Sequence, residues 1–135
     1  MFLTDDGGHC VRKVTLDGKV LIELGVPGKP APYVRGEPSF HRCTHTALSA
    51  KGEIYVSDGY GNSRVHKYSP DGKLPMSWGE PGTELGKFLA PHGLAVDRHG
   101  DIYVGEVAWT ASPRIYPGQP HPADLRSLQK FEKVE

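Results

Sequence analysis

The chain has little cysteine, no excess charge of either sign and no long hydrophobic run, and each lack removes a class of explanation. Two cysteines in 135 residues, Cys10 and Cys43, are too few for a disulfide framework. Both read as buried thiols, with a bridge between them as the lesser alternative. Sixteen Lys and Arg balance sixteen Asp and Glu, and the cations are scattered rather than gathered in a stripe. That excludes phosphate-dominated binding, so no nucleic-acid partner is expected. No apolar run approaches the ~20 residues needed to span a bilayer, so no membrane partner is expected either. Met1-Phe2-Leu3-Thr4-Asp5-Asp6 turns acidic too early for a signal peptide, which leaves the cytoplasm as the default location. Nor does any segment hold a period near 3.6 for more than a turn or two, which argues against helices.

What is present is turn chemistry. Gly and Pro number 17 and 12, high for the length, as a fold of short strands requires. The stretch from Cys43 to Gly79 reads as four short strands. Ala47-Leu48 lies in the first, and Lys51-Gly52 turns into Glu53 to Ser57, a β-branched and aromatic run. Asp58-Gly59-Tyr60-Gly61-Asn62 forms a loop that tolerates positive φ. Arg64 to Tyr68 then runs into Ser69-Pro70-Asp71-Gly72, where proline fixes one φ and glycine accepts a left-handed conformation.

This unit repeats. A displacement of 48 places Gly52, Ile54, Tyr55, Val56 and Asp58 on Gly100, Ile102, Tyr103, Val104 and Glu106. A displacement of 54 towards the N-terminus places Val65 to Tyr68 on Val11 to Val14, Asp71-Gly72-Lys73 on Asp17-Gly18-Lys19, and Gly79 on Gly25. A period of roughly 40–50 residues with four strands per unit is the mark of a β-propeller blade. The predicted fold is therefore all-β, a partial propeller of three antiparallel blades in one domain. A first partial blade covers residues 1–25, a linker 26–42, a complete blade 43–79, a second linker 80–90, and a third blade 91–135 with an insertion at 107–123. The first blade lacks its first strand and the third its last, so the strand tally is three, four, three. In the third blade Leu128-Gln129-Lys130-Phe131 matches Val65 to Tyr68, and Asp124 to Lys133 is read as strand rather than helix.

A propeller closes with about four to eight blades, and open edges invite strand pairing. Three partial blades imply assembly with further chains, a longer parent propeller, or an open wedge with protected edges. Two chains would supply about six blades, and two-fold dimers are the commonest closed symmetry, so a homodimer is expected.

The phrases IYVSDGYGNSRVHKYSPDGK, SWGEPG and PHGLAVDRHGDIYV resemble the NHL-repeat β-propellers. Within them they resemble bacterial proteins similar to the lyase domain of the peptidylglycine α-amidating enzymes. The resemblance covers nearly all of the chain, and Val56 to Arg64 is its most specific part. It implies a six-bladed ring with a peptide or small-molecule site on the axis. In the lyases it further implies zinc held by three histidines, each opening the first strand of a blade, with a tyrosine and an arginine beside it. Such enzymes split a peptidyl-α-hydroxyglycine into a peptide amide and glyoxylate.

Carried over by position, His92 matches the metal site and Tyr60 the catalytic tyrosine. Thr44 stands where the middle blade would place a ligand. His45, one residue on, is the second candidate for zinc, although strand alternation points it away from the direction His92 faces. No residue set can be assigned to calcium. One ligand is short of the three that a catalytic zinc takes. The function expected of the chain alone is therefore a binding or assembly module with little intrinsic catalysis, a zinc-dependent lyase completed in an assembled ring being the alternative. The plainer roles are a hydrogen bond to a neighbouring blade for His92 and an aromatic lid over the channel mouth for Tyr60.

His9, His66, His99 and His121 show no metal spacing and are read as surface residues. Asp5, Asp58 and Glu106 recur at the end of each second strand, where a carboxylate accepts backbone N–H groups and orders the turn. Arg64 is a candidate ion partner for one of them. Trp109, in the proline-rich insertion, suggests a lid or a partner surface.

Overall fold

A computed structural model of the chain describes residues 1–32 and 39–134. Residues 33–38, part of the first stretch read as linker, lie outside the described residues. The architecture is all-β, three antiparallel sheets of three, four and three strands.

The first sheet orders β1 (Phe2–Asp5), β2 (Cys10–Val14) and β3 (Val20–Gly25). The second orders β4 (His45–Leu48), β5 (Ile54–Asp58), β6 (Arg64–Tyr68) and β7 (Met76–Trp78). The third orders β8 (Pro91–Val96), β9 (Ile102–Glu106) and β10 (Leu128–Phe131). The hairpins close where the turn residues are. Gly18, Gly52, Gly72 and Gly100 each donate N–H to the carbonyl three residues back, at 2.9–3.1 Å, and each has positive φ. Strand 124–133 is confirmed in its central part as β10.

The blades pack face to face, and alternation along β5 decides which residue meets which neighbour. Ile54 and Val56 join Val11 and Leu24 of the first blade, while Tyr55 joins Leu94 and Val104 of the third. Both faces of β5 are covered, so all five of its residues are buried.

Each joint between blades is built on one phenylalanine. Phe40 seals the first and Phe88 the second, both fully buried and 48 residues apart in the repeat. Each lies against a positive-φ glycine that ends a fourth strand. A Cβ on Gly25 would come within 2.8 Å of the Phe40 ring, and one on Gly79 within 2.6 Å of Phe88. The ring thus occupies space that only glycine leaves. Burial of each ring stabilises the fold by about 1.5–3 kcal/mol.

Four readings need correction or completion. His66 is not at the surface but fully buried on β6, where Asp58 and Ser77 meet its two ring nitrogens. Absence of metal spacing says nothing of which strand face a residue takes. Of the other three read as surface residues, His9 and His121 are half-buried and His99 is exposed. The insertion contains a helix, α1 (Ala108–Ile115), which packs Ala108 and Ala111 against Leu89 and Ala90. Arg64 does not pair with a strand-end carboxylate: its Nε is buried without a hydrogen-bond partner. The cysteines are free and buried. Cys43 Sγ donates to the main-chain oxygens of Asp5 and Cys10, and burial pushes its thiol up to about 12, so it stays protonated at neutral pH.

Candidate functional site

The site begins with a close approach between blades. A Cβ on Gly59 would lie 1.7 Å from the carbonyl oxygen of Pro91, so only glycine lets the loop after β5 rest on the start of β8. That contact brings Tyr60 to His92. Their rings stand edge to face with centroids 5.6 Å apart.

His92 sits at an irregularity of the β8–β9 pairing, between Pro91 opposite Glu106 and Gly93 opposite Gly105. Such a bulge re-aims a side chain out of the regular alternation, and the His92 side chain is exposed. Its main chain is held by the neighbouring blade. Thr44 Oγ1 donates to the Pro91 carbonyl at 2.9 Å, and Ser57 Oγ to the His92 carbonyl at 3.0 Å. Thr44, where the repeat would place a ligand, thus positions the backbone of the histidine that follows in the next blade.

The carbonyl of His45 shares the Ser57 hydroxyl with the carbonyl of His92. His45 is exposed at the start of β4, opposite Ser57, and among the described residues no hydrogen bond or ring contact joins its side chain to His92 or Tyr60. No group of three or more His, Cys, Asp or Glu among the described residues is placed to hold a metal ion. Among the described residues, therefore, the side chains do not fit a three-ligand zinc site within one chain.

Sequence reasoning missed the third member of the site. Arg42 has a left-handed backbone, φ 65, and its guanidinium carbon lies 5.0 Å from the centroid of the Tyr60 ring. Asp6 of the first blade fixes it by a two-pronged pair, Nε to Oδ1 and Nη2 to Oδ2, each 2.9 Å. Its N–H donates to His9 Nδ1. Asp6, Arg42, Tyr60 and His92 thus form a line across all three blades. Behind Tyr60, α1 and its neighbours Leu89 and Ala90 supply an apolar backing. Trp109 is 57% exposed on that helix and packs on His121 at 4.6 Å between ring centroids. The only signal for Arg42 in the sequence is its place two residues before Thr44, at the entrance to a blade.

The strand-end carboxylates are structural, with a reach longer than a turn. Asp58 Oδ1 accepts the N–H of His41 at 2.9 Å, and Glu106 Oε2 that of Leu89 at 2.7 Å. In both, the donor stands 17 residues upstream in the incoming link, so the carboxylate ties the link to its own blade. The second oxygen takes a side chain of the third strand, His66 Nε2 for Asp58 and Gln129 Nε2 for Glu106. Asp58 also accepts from Asn62 Nδ2. Asp5 instead accepts the N–H of Gly8 in its own turn. Burial raises the Glu106 pKa, offset in part by the Leu89 N–H and Gln129.

No protein-family model matches the chain. Human NHL repeat-containing protein 3 is 32% identical over 112 residues, which cover 78% of this chain and 32% of that protein. Rat peptidylglycine alpha-amidating monooxygenase is 36% identical over 110 residues, 74% of this chain and 11% of the enzyme. A probable peptidyl-alpha-hydroxyglycine alpha-amidating lyase of Caenorhabditis elegans is 35% identical over 101 residues, 70% and 27% respectively. The chain thus spans about a third or less of the length of the curated relatives it matches. In structure, a protein of unknown function from Bacteroides thetaiotaomicron superposes with a TM-score of 0.58 at 19% identity, over 78% of this chain and 29% of its own, a likeness of fold alone. Strand pattern, turn chemistry and these likenesses agree: the chain is a set of propeller blades, similar in sequence to NHL repeat-containing protein 3 and to the peptidylglycine alpha-amidating enzymes.

Proposed function

We propose that the chain is a binding module of the NHL-repeat type with little lyase activity of its own. It presents the Arg42–Tyr60–His92 surface to a peptide or small-molecule ligand and extends its open wedge by association, in the simplest case as a homodimer. The observation that carries this reading is the convergence of those three side chains from separate segments on one surface. The guanidinium supplies a fixed positive charge, the phenol and imidazole supply hydrogen bonds, and the two rings supply an aromatic wall. Those are the elements of ligand recognition.

A second reading is favoured by the contact between Tyr60 and His92, the two positions that match the lyases. In an assembled ring, other chains would add the ligands for zinc. Metal content and activity separate the two. Protein purified without added metal is analysed for zinc and assayed for glyoxylate release from a peptidyl-α-hydroxyglycine, alongside His92→Ala. The module reading expects no stoichiometric zinc and no release from either protein. Stoichiometric zinc in the parent that His92→Ala removes, together with release of glyoxylate, would overturn it in favour of the lyase. Light scattering on the same sample checks the dimer, which a stable monomer at all concentrations would exclude.

A further inference from the structure

The insertion between β9 and β10 folds against the link into the third blade and leaves a cavity of about 240 Å³ between them. Thr83 of the link, Ser112 and Tyr116 of the helical segment, and Gln119, Pro120 and Pro122 of the returning loop line it. The helix gives the cavity its floor. Trp109, Ser112 and Tyr116 follow one another at three and four residues, so they share one face of α1. The returning loop crosses that face, because the Trp109 ring packs on His121 with 4.6 Å between centroids. Ser112 beneath it is 3% exposed, although Trp109 is 57% exposed.

Both walls are held in place. Pro117, Pro120 and Pro122 each fix one φ in the loop, so little order remains to be imposed when a ligand arrives. On the other side, Gly82 donates N–H to the Phe88 carbonyl and Phe88 to that of Glu80. Arg126 Nη1 donates to the Thr83 carbonyl at 3.2 Å, which sets the position of Thr83.

The lining is polar and uncharged. The hydroxyls of Thr83, Ser112 and Tyr116 and the carboxamide of Gln119 make no hydrogen bond to another described residue. Ser112 is the most informative of these. A serine inside a helix commonly returns its hydroxyl to the carbonyl four residues back, and a buried polar group left unsatisfied costs about 1–3 kcal/mol. Ser112 makes no such bond to Ala108, so its hydroxyl is available to the cavity. Lys87, beside Tyr116, is already paired with Glu80 and Glu84.

These features describe a ligand. An uncharged lining suits a neutral molecule, and hydroxyls and a carboxamide, which both donate and accept, suit groups that do the same. The ring of Tyr116 and the two prolines offer an apolar wall to its C–H groups. The volume lies below the ~300 Å³ at which sites for drug-sized molecules begin, so it takes a single small ring. We propose that this cavity binds one neutral, polyhydroxylated ring of monosaccharide size, with its hydroxyls on Thr83, Ser112 and Gln119 and its C–H face on Tyr116 and the prolines. No residue of the Arg42–Tyr60–His92 surface lines it, so the site is separate from that one.

The test follows amide nitrogen–proton correlation spectra of the whole chain while methyl glycosides of glucose, galactose, mannose and N-acetylglucosamine are added, each to about 100 mM. At least one should give saturable shifts centred on Thr83, Ser112, Tyr116 and Gln119, with a Kd of about 1–10 mM, as a few neutral hydrogen bonds sustain. Ser112→Ala and Gln119→Ala should each weaken binding about fivefold. Gln119 is exposed, so its variant keeps its fold, which the same spectra verify. A disaccharide ending in the bound sugar tells the end of a glycan, which binds as the glycoside does, from a free sugar, which alone binds; both outcomes support the site. The proposal is overturned by the absence of saturable shifts with all four glycosides, or by binding that neither substitution changes. Tighter binding of inorganic phosphate or glucuronate would equally overturn it, since the cavity would then read charge.

Discussion

The strands β5 and β9 carry almost the same sequence, Ile54-Tyr55-Val56-Ser57-Asp58 and Ile102-Tyr103-Val104-Gly105-Glu106, and they are buried to very different extents. All of β5 is buried, whereas in β9 only Val104 is. The strand itself does not set this. β5 lies between two blades, each covering one face, while β9 has a blade on one face alone among the described residues. An apolar alternation specifies a strand that is able to be buried, and the neighbouring copy decides whether it is.

The comparison can be broken at several points. The largest effects belong to the two joints. Phe40→Ala and Phe88→Ala should each cost about 3–5 kcal/mol in urea denaturation, and a loss under about 1 kcal/mol at either would show that the joints are not equivalent. Next come the matched isoleucines. Ile54→Ala should cost about 2–5 kcal/mol, and Ile102→Ala clearly less, because Ile102 is only partly covered; equal losses would contradict the account of β9. Third is the buried pair of the second blade. His66→Ala leaves Asp58 without one of its donors and should cost about 1–3 kcal/mol. His66→Gln, which copies the Glu106–Gln129 arrangement of the third blade, should recover part of that in the same denaturation assay.

The smallest effect is pH-dependent and singles out the third blade. Burial raises the Glu106 pKa, so the folded state binds this proton more tightly than the unfolded chain does. The stability tied to that proton is full below the ordinary glutamate range, near ~4.3, and is lost as pH rises through the raised value. Denaturation midpoints between pH 4 and pH 7 should therefore fall more in the parent than in Glu106→Gln. A parallel pH dependence in the two proteins would contradict burial of the charge.

Much of this was legible in the residues. The offsets of 48 and 54 and the glycine turns locate most of the strands, a separate match to Val65–Tyr68 locates β10, and the resemblance to the lyases is what singles out Tyr60 and His92. Three features were not legible, for separate reasons. The burial of His66 depends on a carboxylate arriving from the end of the adjacent strand, a contact that no local pattern encodes. Arg42 takes its role from Asp6, 36 residues away, and from an uncommon positive φ that a non-glycine residue does not announce. The helix α1 has no side-chain cap, no acidic residue in its first turn and a proline inside it, so the usual signals for a helix are missing. It is supported by the packing of Ala108 and Ala111 instead.

Native-state hydrogen exchange tests the central contrast most directly, because it reads the covered and the open blade in one sample. β6 has strand neighbours on both sides and β10 on one. The account predicts that Leu128–Phe131 amides exchange at least about a hundredfold faster than those of Arg64–Tyr68. Equal protection of the two strands in the isolated chain would contradict it.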